Sequence, residues 1–373
     1  MRDAFVKPLL EWYSENARDL PWRHTTDPYR IWISEVMLQQ TRVEAVRKYY
    51  RRFLEALPDI RSLASCPDDR LLKLWEGLGY YSRARNLKKA AQIICSEYNE
   101  QFPADQKELL RLPGIGSYTA GAIASISFGT KIPAVDGNVL RVYARMLCME
   151  ENILLPAVRK KAEADLERVM KILPEAGIMP PQSQEENAAG CFNQALIELG
   201  ALVCVPNTAP SCGICPVKDE CSAYERGMTE KLPVRIKENG RKIVKKTVLL
   251  VQTVDGTAVR KRPARGLLAG LYEFPNEDGW LTSEEVIAYI EKNGYDALRV
   301  RPLPTAKHVF SHVEWHMTGY EVRAVRSDGA GQNKDWIFAE AEQLEELYPI
   351  PAAFSAYYSH IMYVKPADRA DNG

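Results

Sequence analysis

LPGIGSYTAGAIAS, residues 112–125, is the most informative stretch of this chain. A Pro-Gly-x-Gly turn joins "ADQKELLR", which contains the capping candidate Asp105, to an apolar helical run that continues through "ISFG". Glycine has no Cβ, so an anion can come close to the backbone of such a turn. The amides exposed there add to the partial positive charge at the start of the second helix. The bland alternative is an ordinary helix connection, because Gly and Pro mark any tight turn. The turn holds no acid, thiol or imidazole, and Tyr118, just beyond Gly114 and Gly116, brings only a phenol.

Helical periodicity extends on both sides. Apolar residues recur at three- and four-residue steps in "SEVMLQQTRVEAVRKYYRRFLEAL" (34–57), "PDDRLLKLWEGL" (67–78), "SRARNLKKAAQIICSEYN" (82–99) and "FNQALIELGALVC" (192–204). Residues 1–225 are therefore expected to form an all-α domain. The texture then changes. "KLPVRIKENGRKIVKK" (231–246) carries seven basic residues against one glutamate. It reads as a solvated connector or as a strand that tracks phosphates, and a linker is placed at 226–242. Asp255-Gly256 between β-rich runs predicts a hairpin, "TSEEVIAYIEKNG" (282–294) a capped helix, and "KHVFSHVEWHMTGYEVRAV" (307–325) a strand. A smaller α+β domain is expected over 243–366, followed by a tail at 367–373.

Lys+Arg 49 balance Asp+Glu 49 in the 373 residues, so a polyanion must be held by local patches rather than by a net field. No run approaches the ~18 apolar residues of a membrane span. The charges scattered through "MRDAFVKPLLEWYSENARDL" are unlike the apolar core of an export signal. A cytoplasmic, nucleoid-associated monomer is the expectation. Of the eight cysteines, Cys66, Cys95, Cys148 and Cys191 read as small buried hydrophobes. The other four lie in "CVPNTAPSCGICPVKDEC" (204–221), which in a reducing compartment points to metal rather than disulfides. The C-x7-C-x2-C-x5-C spacing of Cys204, Cys212, Cys215 and Cys221 suits Zn²⁺ or a [4Fe–4S] cluster, and spacing alone does not choose.

The hairpin stretch, "VDGNVLRV" (135–142), "WISEVMLQQTRV" (32–43) and the cysteine group occur in one chain. Together they closely resemble the MutY-type adenine DNA glycosylases, in the helix-hairpin-helix superfamily that includes endonuclease III. The resemblance is dense over 1–225 and looser beyond. It implies a six-helix barrel with an iron–sulfur module, and a hairpin at Gly114 and Gly116 whose amides bind a DNA phosphate. Relatives that also cut the strand carry a lysine where this chain has Tyr118. A phenol cannot form an imine, which implies a monofunctional glycosylase with water as the final nucleophile.

Cleaving an N-glycosidic bond needs an acid for the departing base and a negative charge beside the cationic sugar. Glu35 is crowded by Val36, Met37 and Leu38, and desolvation would raise its pKa, so that it could protonate adenine N7. Taken alone it could equally be a solvated helix residue. Asp136 read alone is an N-cap of the following helix. The resemblance implies instead an ionised carboxylate, oriented by Asn138, that stabilises an oxocarbenium-like sugar. It further implies an adenine pocket of Trp22, Arg23, Leu38, Gln194 and Ile197. Gln40, Thr41, Leu78 and Tyr80 would contact or wedge beside the orphaned 8-oxoguanine, with Arg83 and Arg85 near phosphates.

The C-terminal domain resembles a Nudix-like module, yet "EFPNEDGWLTSEEVIAYIEKNG" lacks the R-E-x-x-E-E pattern that holds Mg²⁺, so pyrophosphohydrolase chemistry is not expected. "HVFSH" (308–312) matches a family loop, which makes Phe310, Ser311 and His312 candidate lesion readers. The Ser311 hydroxyl could accept from the N7–H that only the oxidised base has. The family carries iron–sulfur, which favours [4Fe–4S] over zinc, although its usual first interval is x6 rather than x7. The expected function is base excision repair of double-stranded DNA: flipping and hydrolytic removal of adenine mispaired with 8-oxoguanine or guanine. The alternatives are an endonuclease III-like pyrimidine-lesion glycosylase/lyase and a catalytically silent lesion binder.

Overall fold

The computed structural model describes residues 4–173, 187–236, 240–327, 331 and 333–361; the expected tail at 367–373 lies outside them. The chain forms two compact units, 1–66 with 85–238 and 67–84 with 239–373. The second unit therefore takes in a stretch from the middle of the helical half.

The first unit holds α1 (Val6–Asn16), α2 (Pro28–Leu38), α3 (Val43–Ala56) and α4 (Ile60–Ser65). After α5 (Asp68–Leu74), which belongs to the second unit, come α6 (Ser82–Glu97), α7 (Gln106–Leu109), α8 (Ser117–Phe128), α9 (Gly137–Met146), α10 (Pro156–Lys171), α11 (Ala188–Leu202) and α12 (Ser222–Glu225). Short polar side chains start several of them. Asp27 accepts the first amides of α2, Asp105 those of α7, and Asp59 forms a capping box with Ser62 at α4. Each such cap is worth about 1 kcal/mol. The helix α11 is buried on nearly every side and packs against α1, α8 and α9. Its Phe192 and Leu199 share a core with Tyr13 of α1 and Tyr143 of α9.

The periodic run 34–57 is not continuous: α2 ends at Leu38, and Gln40 takes a left-handed φ of 59° before α3 begins. The expected linker also differs. Residues up to 236 are held to the first unit, with the Ile153 amide donating to the Val234 carbonyl at 3.0 Å and Arg145 Nε to Leu232 O at 2.9 Å. From Lys242 the basic stretch is already a strand.

The second unit is built on a mixed sheet of β1 (Lys242–Thr253), β2 (Gly256–Lys261), β3 (Tyr272–Glu273), β4 (Asn276–Asp278), β5 (Tyr295–Val309), β6 (Val313–Arg326) and β7 (Ile337–Ala339). The strand order is β3-β2-β1-β6-β5, with β4 on β1 and β7 on β2; β1 and β6 run parallel, from Lys242 opposite Val313 to Gln252 opposite Arg323. The Asp255-Gly256 turn joins β1 to β2 as expected. The stretch 307–325 is not one strand. It folds back at 310–312 into the β5–β6 hairpin, so "FSH" is the tip of a turn. Two cores cover the sheet. One contains Trp315, Phe354 and Tyr357; the other contains Val286 and Ile290 of the capped helix α13 (Ser283–Lys292) with Trp336. Two helices, α14 (Ala341–Leu347) and α15 (Ser355–Tyr358), follow.

Candidate active site

A cavity of about 700 Å³ opens in the first unit between α2, the start of α8, the start of α9 and α11. Glu35 reaches it from α2. Its carboxylate is buried and accepts a hydrogen bond from the Tyr118 hydroxyl. Burial raises its pKa to about 7; the Tyr118 bond and the Arg23 charge pull it down, and the Asp136 charge pushes it up. A carboxyl near 7 can give up a proton at neutral pH. Asp136 faces the same cavity from the N-cap of α9. Its Oδ1 accepts the amides of Asn138 and Val139, both at 2.8 Å, and its Oδ2 accepts from Asn138 Nδ2 at 2.7 Å. Burial raises its pKa as well, against the pull of these hydrogen bonds. The cap and the pocket carboxylate, alternatives in the sequence, are one arrangement.

The hairpin has the geometry that its glycines suggest. Gly114 adopts φ 80°, where a side chain would be strained and a Cβ would also lie 2.7 Å from Asn86 Cβ. Gly116 is the extended N-cap of α8; it offers no side-chain acceptor, so it leaves first-turn amides uncapped. Gly116 borders the cavity and Gly114 does not. Ser117, the first residue of α8, is braced by its hydroxyl on Glu163 at 2.9 Å.

Trp22, Arg23, Leu38, Gln194 and Ile197 all line the cavity, as do Gln40 and Thr41 at the break after α2. The break thus exposes to the pocket two residues that a continuous helix would have carried past it. Gln194 accepts the Tyr13 hydroxyl at 2.8 Å, and Trp22 packs edge-on against Tyr50. The donor fork of Arg23 is directed elsewhere than expected. Both its Nη atoms bind Glu198, at 3.0 and 2.7 Å, and Arg18 grips the same carboxylate from the other side at 2.8 and 2.7 Å. Burial alone would push Glu198 up, but these donors outweigh it and hold the carboxyl at about 2. Sequence reading missed Glu198 and Arg18. The available signal was that Glu198 is the lone charge in the apolar run 188–204.

Behind Asp136, Arg141 ties the site to the cysteine loop. Its Nη2 donates to Asn138 Oδ1 at 2.9 Å and to Gly200 O at 2.7 Å, and its Nε to Cys204 O at 2.7 Å. Here α9 and α11 approach so closely that a Cβ on Gly200 would lie 2.6 Å from Asn138 Cβ. Overpacking of this kind costs about 1–3 kcal/mol. Gly200→Ala is therefore expected to displace Asn138 and slow base release by at least about tenfold, with the melting temperature lowered but folding retained. Single-turnover kinetics beside a thermal melt would check this, and an unchanged rate would show that Asn138 does not position Asp136.

Cys204, Cys212, Cys215 and Cys221 border one small cavity. The seven-residue first interval is absorbed by a loop that the Ser211 amide closes on Val203 O at 2.9 Å. Arg145 Nη1 lies 3.2 Å from Cys204 Sγ and can stabilise negative charge on that sulfur. Among the described residues, no group of three or more His, Cys, Asp or Glu has the geometry to hold a single metal ion. Four thiols around one cavity, with a guanidinium on one of them, nevertheless form a donor set that suits a soft thiophilic group.

Apart from Arg85, which falls in the first unit, the other expected residues belong to the second. Leu78 is buried; Tyr80, in a left-handed conformation at φ 47°, is exposed and its hydroxyl lies 2.9 Å from the Ser311 hydroxyl. Phe310 packs between His308 and Trp315, and the His312 carbonyl accepts the Lys242 amide. Arg83 is not laid out for phosphates. It is buried, donates to the Leu78 and Gly79 carbonyls at 3.0 and 3.1 Å, and its guanidinium lies against the Tyr80 and Trp75 rings. Glu273 of "EFPNEDG" is buried between Arg260 and Arg262.

Residues 33–172 match the HhH-GPD superfamily base excision DNA repair protein family, and residues 247–360 match the NUDIX domain. The adenine DNA glycosylase of Buchnera aphidicola subsp. Baizongia pistaciae is 36% identical over 315 residues, 83% of either chain. That of Homo sapiens is 32% identical over 372 residues, covering 83% of this chain and 65% of the human one. Among solved structures, a thermostable thymine-DNA glycosylase aligns with a TM-score of 0.50 at 29% identity, over 60% of this chain and 96% of its own. With relatives above 30% identity matched over most of its length, this chain belongs to the adenine DNA glycosylase family.

Proposed function

We propose that this DNA repair glycosylase hydrolyses the N-glycosidic bond of adenine paired with 8-oxoguanine or guanine, after flipping the adenine out of the duplex. The observation that carries the reading is the pair of unlike carboxyls on one cavity: Glu35, whose pKa is raised to about 7, and Asp136, held by three hydrogen-bond donations. Glu35 gives its proton to N7 of adenine, and the C1′–N9 electron pair leaves with the base. Asp136 stays ionised and stabilises the positive charge that builds on the sugar. Water supplies the hydroxyl at C1′, and its released proton restores the Glu35 carboxyl. Tyr118 hydrogen-bonds Glu35 and offers no amine for a Schiff base, which supports hydrolysis without strand cleavage.

Flipping costs a few kcal/mol, less at a mispair. The uncapped start of α8 is suited to a backbone phosphate. The Tyr80 and Ser311 hydroxyl pair supports a role for these residues at the partner base, where an acceptor would distinguish 8-oxoguanine from guanine by its N7–H. The four cysteines would hold a [4Fe–4S] cluster that ties down the 204–221 loop. Iron with acid-labile sulfide in the purified protein is the expected composition, and zinc alone would replace the cluster with a zinc site.

The test is free adenine released from duplexes carrying A opposite 8-oxoguanine, guanine or cytosine. Fastest release from A:8-oxoguanine with little borohydride capture supports the reading. Release of damaged pyrimidines with strong capture would move the chain to glycosylase/lyase chemistry, and no release from any duplex would leave a binder.

A further inference from the structure

Residues 67–84 are joined at both ends to the helical unit yet belong to the second one, and two carboxylates supply polar grips that help to hold them there. At the start of α5, Asp69 accepts from Lys261 Nζ of β2 at 2.6 Å and from the Tyr272 hydroxyl of β3 at 3.2 Å. Just past its end, Glu76 accepts the Ile350 amide at 2.9 Å and pairs with Lys73 at 2.7 Å; Lys73 in turn reaches the Tyr348 carbonyl at 3.4 Å. The two grips are joined by aromatic contacts. Tyr272 and Tyr348 meet edge to face at 4.9 Å, and the Lys261 ammonium lies 5.2 Å from the Tyr272 ring centre. The helix α5 also packs on α14.

The loop that follows Glu76 has little freedom of its own to lose. Gly77, Gly79 and Tyr80 all have positive φ, and Trp75 Nε1 and Arg83 both donate to the Gly79 carbonyl. Fixing α5 at Asp69 and Glu76 therefore fixes where Tyr80 meets Ser311. We propose that Asp69 and Glu76 are positioning residues for partner-base discrimination: they hold segment 67–84 in register on the C-terminal sheet so that Tyr80 and Ser311 act as one reader. Neither carboxylate contacts the catalytic cavity, so their effect falls on the choice between mispairs rather than on bond cleavage. The inference rests on the proposed role of Tyr80 and Ser311 at the partner base.

The test compares the parent with Asp69→Asn/Glu76→Gln and with the charge exchange Asp69→Lys/Lys261→Asp, using single-turnover adenine release from A:8-oxoguanine and A:G duplexes. The double neutral variant is expected to lose roughly five- to tenfold of its preference for 8-oxoguanine, consistent with the modest strength of partly exposed polar contacts. Its rate on A:G should be unchanged, and the exchange should recover most of the preference. A folded variant that keeps the parental preference, or that slows equally on both duplexes, would overturn the inference alone. A parent with no preference would overturn the partner-base reading and this inference with it.

Discussion

Glu35→Gln is expected to slow adenine release by about 10²–10⁴ and, above neutral pH, to make the protein more stable. Both effects have one cause. The Glu35 carboxyl is buried and its pKa is lifted from 4.5 to about 7, so the folded state binds its proton more tightly than the unfolded chain does. Stability from this group is then full below about pH 4.5 and is lost as pH rises through 7, where burial of the ionised form costs about 3 kcal/mol. Glutamine keeps the shape and can still accept from Tyr118, but it carries no charge to bury. A melting temperature that rises at pH 8 and changes little at pH 5, with activity lost at both, is the expected signature. Equal activity of the variant would remove Glu35 as the acid. In the parent, the alkaline limb of the rate profile should fall near pH 7.

Asp136→Asn separates the helix cap that this side chain makes from the charge stabilisation proposed for the same carboxylate. Asparagine caps a helix about as well as aspartate, so the start of α9 should survive and the melting temperature should fall little. The negative charge beside the developing cation is gone, and loss of such preorganised stabilisation costs about 10²–10³ in rate. Asp136→Ala would remove the cap too, adding about 1 kcal/mol of instability. In the parent, activity should also fall on acidification. Burial makes Asp136 take up its proton at a higher pH than an exposed aspartate would, against the pull of the Val139 and Asn138 hydrogen bonds and the Arg141 charge. The two limbs belong to a coupled carboxyl pair rather than to either residue alone. An Asp136→Asn variant that releases adenine at the parental rate would end the assignment.

Much of this site was legible because it is written in local chemistry. The Pro-Gly-x-Gly turn, the Asp136 cap and the cysteine spacing each depend on residues a few positions apart, where backbone sterics and chain reach decide the outcome. The same holds for the Asp255-Gly256 hairpin and the Thr282 cap of α13. Local pattern failed where a residue's fate is set by remote partners. The run 34–57 has unbroken helical periodicity, yet the chain breaks at Gln40, which lines the pocket. Arg23 offered a free donor fork in the sequence; the fork is occupied because Glu198, 175 positions away, is buried beside it. Arg83 had the look of a phosphate ligand and instead holds the loop that carries Tyr80.

By itself, the sequence determined the all-α and α+β halves, the glycine turn before α8 and the Asp136 cap, because periodicity, capping and glycine conformations act within a few residues. Only the tertiary structure decided the rest. It brought Glu35, Tyr118 and Asp136 around one cavity and raised Glu35 by burying it, moved segment 67–84 into the second unit, and set Tyr80 against Ser311. Desolvation and long-range hydrogen bonds depend on what surrounds a side chain in space, and neighbours along the chain do not specify that.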